Sequence, residues 1–241
     1  MEVHKPKLVT NWPELFKEWG IIVLGVLTAL LAEQAVQSIE WHHKVDAAVV
    51  DMDNELSLGD GPQAYARVAM HDCIASRLDQ IRVAVERGDR ATSRRYIDAF
   101  WLPKRTWDSL AREAATASDV ASHMPHERML QYRIAYNMVP DLQRLADKEL
   151  ADTGRLRSLP TSGGPIETVE KLPAVDAIEA LRLDNDAMRR ESEFILVRLK
   201  IMDLRLDRFF VARNVGDARA HLGSCVTTPQ LPKDRTVLNQ I

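Results

Sequence analysis

The stretch that decides the fold is residues 19–40, WGIIVLGVLTALLAEQAVQSIE. Its first fourteen residues carry no charge, and apolar side chains continue beyond Glu33. As an α-helix, residues 19–39 would be about 31 Å long, which matches the hydrocarbon thickness of a bilayer. Trp19 and Trp41 bracket the stretch, as amphipathic aromatic rings do at the two membrane interfaces. We therefore predict a transmembrane helix over residues 19–40, with both tryptophans as interface anchors.

A signal peptide or a buried core helix is the alternative for so short an uncharged run. No A-x-A cleavage site follows Leu31, and the helical pattern runs without a break through residues 40–58. Both features favour a helix that spans a membrane and stays attached to the rest of the chain.

Lysines predict the orientation of this helix. Lys5, Lys7 and Lys17 precede it, whereas only Lys44 follows it closely before a run of acidic residues. Positively charged flanks stay in the cytoplasm, so the bulk of the chain is expected on the outer side of the membrane, which is the periplasm if the membrane is a bacterial inner membrane. The predicted division is a cytoplasmic segment (1–18), the span (19–40), an extracytoplasmic helical domain (41–223) and a loose tail (224–241).

Composition favours an all-α fold. Apolar residues make up 46% of the 241 residues and charged residues 28%, with only ten glycines and few aromatic residues, a balance typical of helical bundles. A net charge of -3 and a pI near 6.2 provide no basic field for a phosphate backbone. Nucleic acid is therefore not expected as a partner.

The clearest helical pattern lies in the carboxyl-terminal half. Apolar and small residues recur there with alternating spacings of three and four, the seam of a helix packed in a bundle. We expect one long helix of about forty residues at the centre of the domain. The seam consists of Ile178, Leu181, Asn185, Met188, Ser192, Ile195, Leu199, Met202, Leu206 and Phe209.

The remaining helices are predicted from breaks in the pattern. Glycine and proline at 59–62 are expected to end the first long helix, and residues 155–173 are expected to form a loop. Pro140 is expected to kink the segment that follows Pro125. Helices are predicted at about 63–87, 91–100, from 106 onward and at 126–152.

Glu33 is the sharpest candidate for a functional group, because an ionisable side chain within a span usually faces a partner helix or water. The alternative is a carboxylate shallow enough to reach the interface, helped by Gln34 and Gln37. Small and polar residues share its helix face and allow close, hydrogen-bonded helix contacts. This predicted oligomer seam, which favours a homo-oligomer or a membrane-protein partner, comprises Gly25, Thr28, Ala29, Ala32, Glu33 and Gln37.

The two cysteines, Cys73 and Cys225, fit an oxidising compartment as one disulfide. A bridge that closes so long a loop would stabilise the fold by about 4 kcal/mol. Two unrelated buried thiols are the alternative.

Motifs for catalysis and metal binding are absent or fragmentary. His42 and His43 are adjacent and point about 100° apart on a helix, and Asp51, Asp53 and Asp60 lack the spacing of a calcium loop. His126–Glu127 lacks the second histidine of H-E-x-x-H, and no G-x-S-x-G occurs. We predict no catalytic residue, no metal and no cofactor.

Four short stretches carry a resemblance to a known group of proteins: residues 18–41 (EWGIIVLGVLTALLAEQAVQSIEW), 107–110 (WDSL), 132–136 (YRIAY) and 221–225 (HLGSC). In these the chain resembles a family of uncharacterised bacterial envelope proteins with one amino-terminal span and a helical extracytoplasmic domain. The resemblance implies the same topology and a bridge between Cys73 and Cys225, and it implies no activity.

The sequence therefore predicts a membrane-anchored helical scaffold or accessory protein, oligomeric, that contacts the lipid bilayer and binds a protein partner or a small ligand. The alternative is an oligomeric membrane protein that conducts or couples ions through Glu33. A third class, an envelope enzyme, would require a concave pocket with convergent titratable groups; it is not predicted, because enzyme motifs are absent or fragmentary.

Overall fold

The computed structural model describes residues 12–229, and this part of the chain is all-α, without a β-strand. The chain divides into two units between Ala47 and Ala48. The second unit is called the helical domain below. Residues 1–11, with Lys5 and Lys7 of the predicted cytoplasmic segment, and residues 230–241 of the predicted tail lie outside the described residues.

The helices follow one another in the order α1 (Trp12–Asn54), α2 (Gly61–Glu86), α3 (Arg90–Ala99), α4 (Leu110–Ala117), α5 (His126–Tyr136), α6 (Val139–Arg157), α7 (Thr168–Ile201) and α8 (Arg208–Leu222). A π-helical turn, Glu55–Asp60, joins α1 to α2, and a short 3-10 helix, Val120–His123, precedes α5.

The amino-terminal part of α1 is long and apolar enough to cross a membrane. None of the residues in its most apolar eighteen-residue window is buried. Large apolar side chains point outward on every face, among them Ile22, Leu24, Leu27 and Leu31. A helix that is apolar all round is stable only with an apolar environment around it.

The predicted break at residues 59–62 is wrong, because the helical run continues from α1 through the π-helical turn into α2. The backbone N–H of Gly61 donates to the carbonyl oxygen of Leu56, five residues back. Pro62 lacks an N–H and would collide with the preceding turn of a regular α-helix. The wider π-helical turn accommodates Pro62 in the first turn of α2 without ending the run.

The core of the helical domain lies where α2 packs against α7, and α6 and α8 cover these two helices from other sides. The predicted seam of α7 is confirmed from Ile178 to Leu199. Its buried members are Ile178, Leu181, Asn185, Met188, Ser192, Ile195 and Leu199.

The prediction that this helix extends to Phe209 is wrong, because α7 ends at Ile201. Asp203 has a positive φ of 57°, which turns the chain out of the helix. Asp207 then starts α8, since its carboxylate accepts the N–H groups of Phe209 and Phe210. The predicted continuation of the seam at Leu206 and Phe209 therefore falls in a connection and a separate helix.

Three further boundaries differ from prediction for local reasons. Residues 126–152 form two helices, because Pro140 occupies the first turn of α6 instead of kinking a continuous helix. A capping box of Glu167 and Glu170 starts α7 inside the predicted loop. The helix predicted from 106 onward, α4, begins instead at Leu110, which is exposed. Trp107 is buried in the connection before it.

The two cysteines are paired across the helical domain. Cys73 is buried on α2, Cys225 follows α8, and their Cα atoms lie 5.5 Å apart, within the range of a disulfide. Val226 packs into the same core, and the N–H of Thr227 donates to the carbonyl oxygen of Ala69 at 3.3 Å. The segment after α8 is thereby attached to α2.

Candidate functional site

The predicted oligomer seam lies along one face of α1, because its members are three or four residues apart in an unbroken helix. All its residues are exposed, and a Cβ added at Gly25 would meet no atom within 4 Å. Thr28 Oγ1 donates to the carbonyl oxygen of Leu24 at 2.8 Å, and Gln37 Nε2 donates to Glu33 Oε1 at 3.3 Å. The remaining members are Ala29 and Ala32. The face is open to a second helix.

Trp19 and Trp41 stand near the two ends of the apolar stretch, about 33 Å apart along the axis. Trp19 is 63% exposed. The Lys44 ammonium lies 4.8 Å from the centre of the Trp41 ring and pairs with Glu40 at 2.6 Å. An aromatic ring with a charged group beside it is typical of a membrane interface.

A buried carboxyl group at the π-helical turn was not predicted as a site. Asp60 is only 2% exposed, and its Oδ2 has no hydrogen-bond partner within the described residues. Burial raises the pKa of Asp60 to about 8; the backbone N–H of Asp108 opposes this, and the charges of Glu55 and Asp108 raise it further. This carboxyl group is therefore largely protonated at neutral pH.

Two tyrosines of α5 bind the carboxyl-terminal end of α1. The hydroxyl of Tyr132 donates to Asp53 Oδ1 at 2.5 Å, and Arg128 Nη2 donates to Asp53 Oδ2 at 2.9 Å. The hydroxyl of Tyr136 lies 3.4 Å from the carbonyl oxygen of Met52. Burial raises the pKa of both phenols far above their ordinary value. They hold helices together and do not supply a base.

A buried ion pair joins α2 to α6. Arg67 Nη2 contacts Glu149 Oε1 at 2.5 Å, and the two side chains are 4% and 5% exposed. Nε and Nη1 of Arg67 are buried without a hydrogen-bond partner within residues 12–229. Burial raises the pKa of Glu149, and Arg67 opposes that rise. A guanidinium with two unsatisfied nitrogens is costly unless it serves a further interaction.

The connection between α3 and α4 borders two adjoining cavities. Its residues Trp101, Pro103, Lys104 and Arg105 line both of them. The first cavity, of about 340 Å³, is completed by Leu102, Ala146, Asp147, Glu149, Leu150, Thr153 and Arg157. The second, of about 470 Å³, is completed by Leu58, Gly59, Gln63, Phe210, Arg213, Asn214, Asp217 and His221.

Arg105 is, with Lys104, one of two charged residues that line both cavities. Its Nη1 donates to Asn214 Oδ1, and its Nη2 lies 3.7 Å from Asp217 Oδ2. Burial lowers the pKa of Arg105, Asp217 opposes this, and the like charges of Arg213 and Arg67 lower it further. Trp101 is held beside it by stacking on His221, with ring centres 4.2 Å apart and planes 8° apart.

The sequence offered a weak signal for this region, the run WLPKR at residues 101–105, in which an aromatic residue, a proline and two cations lie between helices. Their partners on α6 and α8 are 40 to 120 residues away, so only the fold brings them together. His42 and His43 remain on α1, and within residues 12–229 no group of three or more His, Cys, Asp or Glu side chains is arranged to hold a metal ion.

Comparison with known proteins adds no relative. No family model, no curated protein and no solved structure matches the chain.

Proposed function

We propose that the chain is a membrane-anchored helical scaffold or accessory protein that self-associates through α1 and holds its helical domain on the outer side of a bacterial inner membrane, where the domain binds a protein partner or a small ligand. The observation that carries the proposal is the apolar part of α1, whose side chains are exposed on every face. The helical domain has its own buried core. Lipid covers such a helix at the lowest free energy.

Orientation is supported by three features. Lysines are concentrated before the apolar stretch. Cys73 and Cys225 are paired, and disulfides persist in oxidising compartments such as the periplasm. The resemblance to bacterial single-span envelope proteins implies the same arrangement. Together these features favour a cytoplasmic amino terminus and a periplasmic domain.

Self-association is supported by the seam on α1. Glu33 and Gln37 bind each other within one helix, which leaves further acceptor and donor positions on both side chains. In an apolar phase these positions favour contact with a second helix. Gly25, Ala29 and Ala32 would permit the close approach that such contact requires.

Anchoring and orientation are tested together in intact and permeabilised bacterial cells. We expect the full chain to remain with membranes after alkaline carbonate extraction. Protease added to spheroplasts should digest the helical domain. Release by carbonate would overturn the anchor, and digestion only after the inner membrane is permeabilised would overturn the orientation.

Self-association is tested by a matched pair of glycine substitutions in α1. Gly25→Leu fills the seam, whereas Gly20→Leu adds the same side chain on another face, and neither added Cβ meets an atom within 4 Å. We expect energy transfer between labelled copies in lipid vesicles to fall for Gly25→Leu and to stay unchanged for Gly20→Leu. Equal transfer for both variants and the unmodified chain would overturn association through this face.

The ion-conducting alternative uses the same carboxylate. A Glu33→Gln substitution removes a charge and keeps the hydrogen-bonding shape, so it should leave a scaffold assembled. Planar-bilayer recordings separate the two functions. If the unmodified chain conducts ions and Glu33→Gln abolishes the flux, the ion-conducting function replaces the scaffold function. If the unmodified chain conducts no ions, the scaffold function is supported.

A further inference from the structure

We propose that the two cavities beside residues 101–105 form a binding site for a small organic anion that carries its negative charge on an apolar body. The site lies wholly within the helical domain, and the proposal holds whether or not α1 crosses a membrane. It goes beyond the scaffold function because it names the ligand class of the domain.

The dimensions of the cavities fit a small molecule. Volumes of about 340 and 470 Å³ lie within the range of ligand pockets in proteins. Both cavities are bounded by the α3–α4 connection, with α6 on one side and α8 on the other. Two of these elements are helices of the domain, which hold their side of the lining in place and reduce the ordering cost of binding.

The first cavity has more cationic than available anionic groups. Its cations are Lys104, Arg105 and Arg157. Of its two acids, Glu149 pairs with Arg67, whereas Asp147 accepts a hydrogen bond from the neutral amide of Gln143 at 2.8 Å and keeps its negative charge, so one carboxylate faces three cations. Arg157 donates one bond to the carbonyl oxygen of Phe100 at 3.1 Å and keeps further donors. A bound anion would be the missing partner.

The second cavity shares Lys104 and Arg105 with the first and adds Arg213. Lys104, Arg105 and Arg213 line it, against the single carboxylate of Asp217. Within the described residues neither Lys104 nor Arg213 has an ion-pair partner. Asp217 is 3.7 Å from Arg105, at the long end of an ion pair. Asp217 therefore compensates only part of the positive charge that lines the second cavity.

Arg105 experiences the repulsion that an anion would relieve. It is partly buried, and the cations Arg213 and Arg67 are both close enough to disfavour its charge. Arg67 itself is buried, and two of its nitrogens have no hydrogen-bond partner among residues 12–229. Cations kept together without enough counter-charge are typical of sites for carboxylates and phosphates, where arginine supplies several donors in a fixed plane.

The apolar part of the ligand is specified by the other lining residues. Trp101, Leu102, Pro103 and Leu150 form an apolar wall in the first cavity. Stacking on His221 fixes the plane of Trp101, so its ring offers a rigid surface for a flat apolar group. An inorganic anion would leave this wall uncovered.

The test uses the full chain in nanodiscs of phosphatidylcholine, titrated calorimetrically with phenyl phosphate. Benzyl alcohol supplies the ring without the charge, and inorganic phosphate supplies the charge without the ring. We expect saturable binding of phenyl phosphate at least tenfold tighter than either comparator. Nanodiscs that contain phosphatidylglycerol distinguish the source: competition would support the site with a lipid headgroup as its anion, and unchanged affinity would support it with a soluble ligand.

A matched pair of lysine substitutions tests whether phenyl phosphate binds at the two cavities. Lys104 is exposed and makes no ion pair within residues 12–229, so Lys104→Gln leaves the fold intact and should weaken phenyl phosphate binding at least fivefold. Lys200→Gln removes an exposed charge on α7 that lines neither cavity, and should leave the affinity unchanged. No saturable binding, equal affinity for inorganic phosphate, or equal weakening by both variants would each overturn the proposal.

Discussion

The apolar stretch of α1 and the seam of α7 are both rich in apolar residues, yet they meet opposite surroundings. In residues 19–39 the apolar side chains are distributed around the whole helix and are exposed. In α7 they are confined to a stripe that is buried against α2. The distribution of apolar residues around the helix axis, more than their number, therefore decides what covers a helix.

Polar groups follow the same division. In α1 the Glu33 carboxylate accepts a hydrogen bond from Gln37 of its own helix. In α7 the buried Asn185 donates to the carbonyl oxygen of His71 on α2, at 3.1 Å. Asn185 is therefore tied to a tertiary contact, whereas Glu33 and Gln37 keep positions that are available to a partner.

The largest expected effect comes from the same substitution made in both helices. Leu181 is 1% exposed, and Leu181→Asp buries an unpaired charge, which costs several kcal/mol and is enough to unfold the helical domain. Leu27→Asp should leave the domain folded and reduce membrane insertion, at a cost of about 3 kcal/mol. Circular dichroism and membrane fractionation measure the two outcomes. Loss of the domain fold in Leu27→Asp would break the comparison.

A buried ion pair provides the next effect. Glu149→Gln leaves the Arg67 guanidinium buried without its charge partner, and we expect a loss of about 3–5 kcal/mol in the free energy of unfolding. Urea denaturation of the purified chain measures it. The double variant Arg67→Met and Glu149→Leu should recover most of that loss, because no unpaired charge remains. A double variant as unstable as the single one would contradict this explanation.

The elements that sequence predicted correctly are those in which one local pattern repeats for several turns. The apolar stretch and the seam from Ile178 to Leu199 are of this kind. The wrong boundaries depend on single residues whose effect is set by tertiary structure. Pro62 is accommodated by a π-helical turn, and Asp203 adopts a positive φ that its sequence context does not require.

Gly59 and Gly61 lie two residues apart but differ in the space around them. A Cβ at Gly61 would lie 2.6 Å from the carbonyl oxygen of Leu56 and 2.7 Å from Leu199 Cδ1, whereas a Cβ at Gly59 would meet nothing within 4 Å. Gly61→Ala should therefore destabilise the domain by about 1–3 kcal/mol. Gly59→Ala should be neutral or stabilise it by up to about 1 kcal/mol. Thermal unfolding of both variants tests the pair, and equal melting temperatures would contradict it.

The last prediction concerns the pH dependence of stability. Burial raises the pKa of Asp60 from 3.8 to about 8, so the folded state retains a proton that the unfolded state releases. Stability should therefore fall as pH rises from about 4, by at most about 1.4 kcal/mol per pH unit, and level off above about 8. Asp60→Asn should flatten this slope in unfolding experiments between pH 5 and 8.

A control is needed because burial also raises the pKa of Glu149. That carboxyl group contributes a slope of the same sign, which Asp60→Asn leaves in place. The prediction therefore concerns the difference between the two proteins. Identical pH profiles for the unmodified chain and Asp60→Asn would show that Asp60 does not hold the proton.

The sequence contains only a weak signal for the proposed anion site, the run WLPKR at residues 101–105. Lys104 and Arg105 read as solvated charges in a connection, and Arg213 as part of a polar helix face. Their proposed role in binding an anion depends on contacts made in the folded domain: Glu149 pairs with Arg67, and Trp101 stacks on His221. These contacts join residues that are far apart in the chain and follow no local period.

The bond between Cys73 and Cys225 gives the domain a second covalent connection to α1. The two cysteines are 152 residues apart, so nearly every connection of the domain lies inside the closed ring. A single cut in residues 158–167, which separates α7 and α8 from the rest along the backbone, would release nothing until the disulfide is reduced. The severed half would remain attached through Cys73, which follows α1 in the same helical run. A nicked molecule would therefore stay in one piece, with its carboxyl-terminal helices still joined to α1.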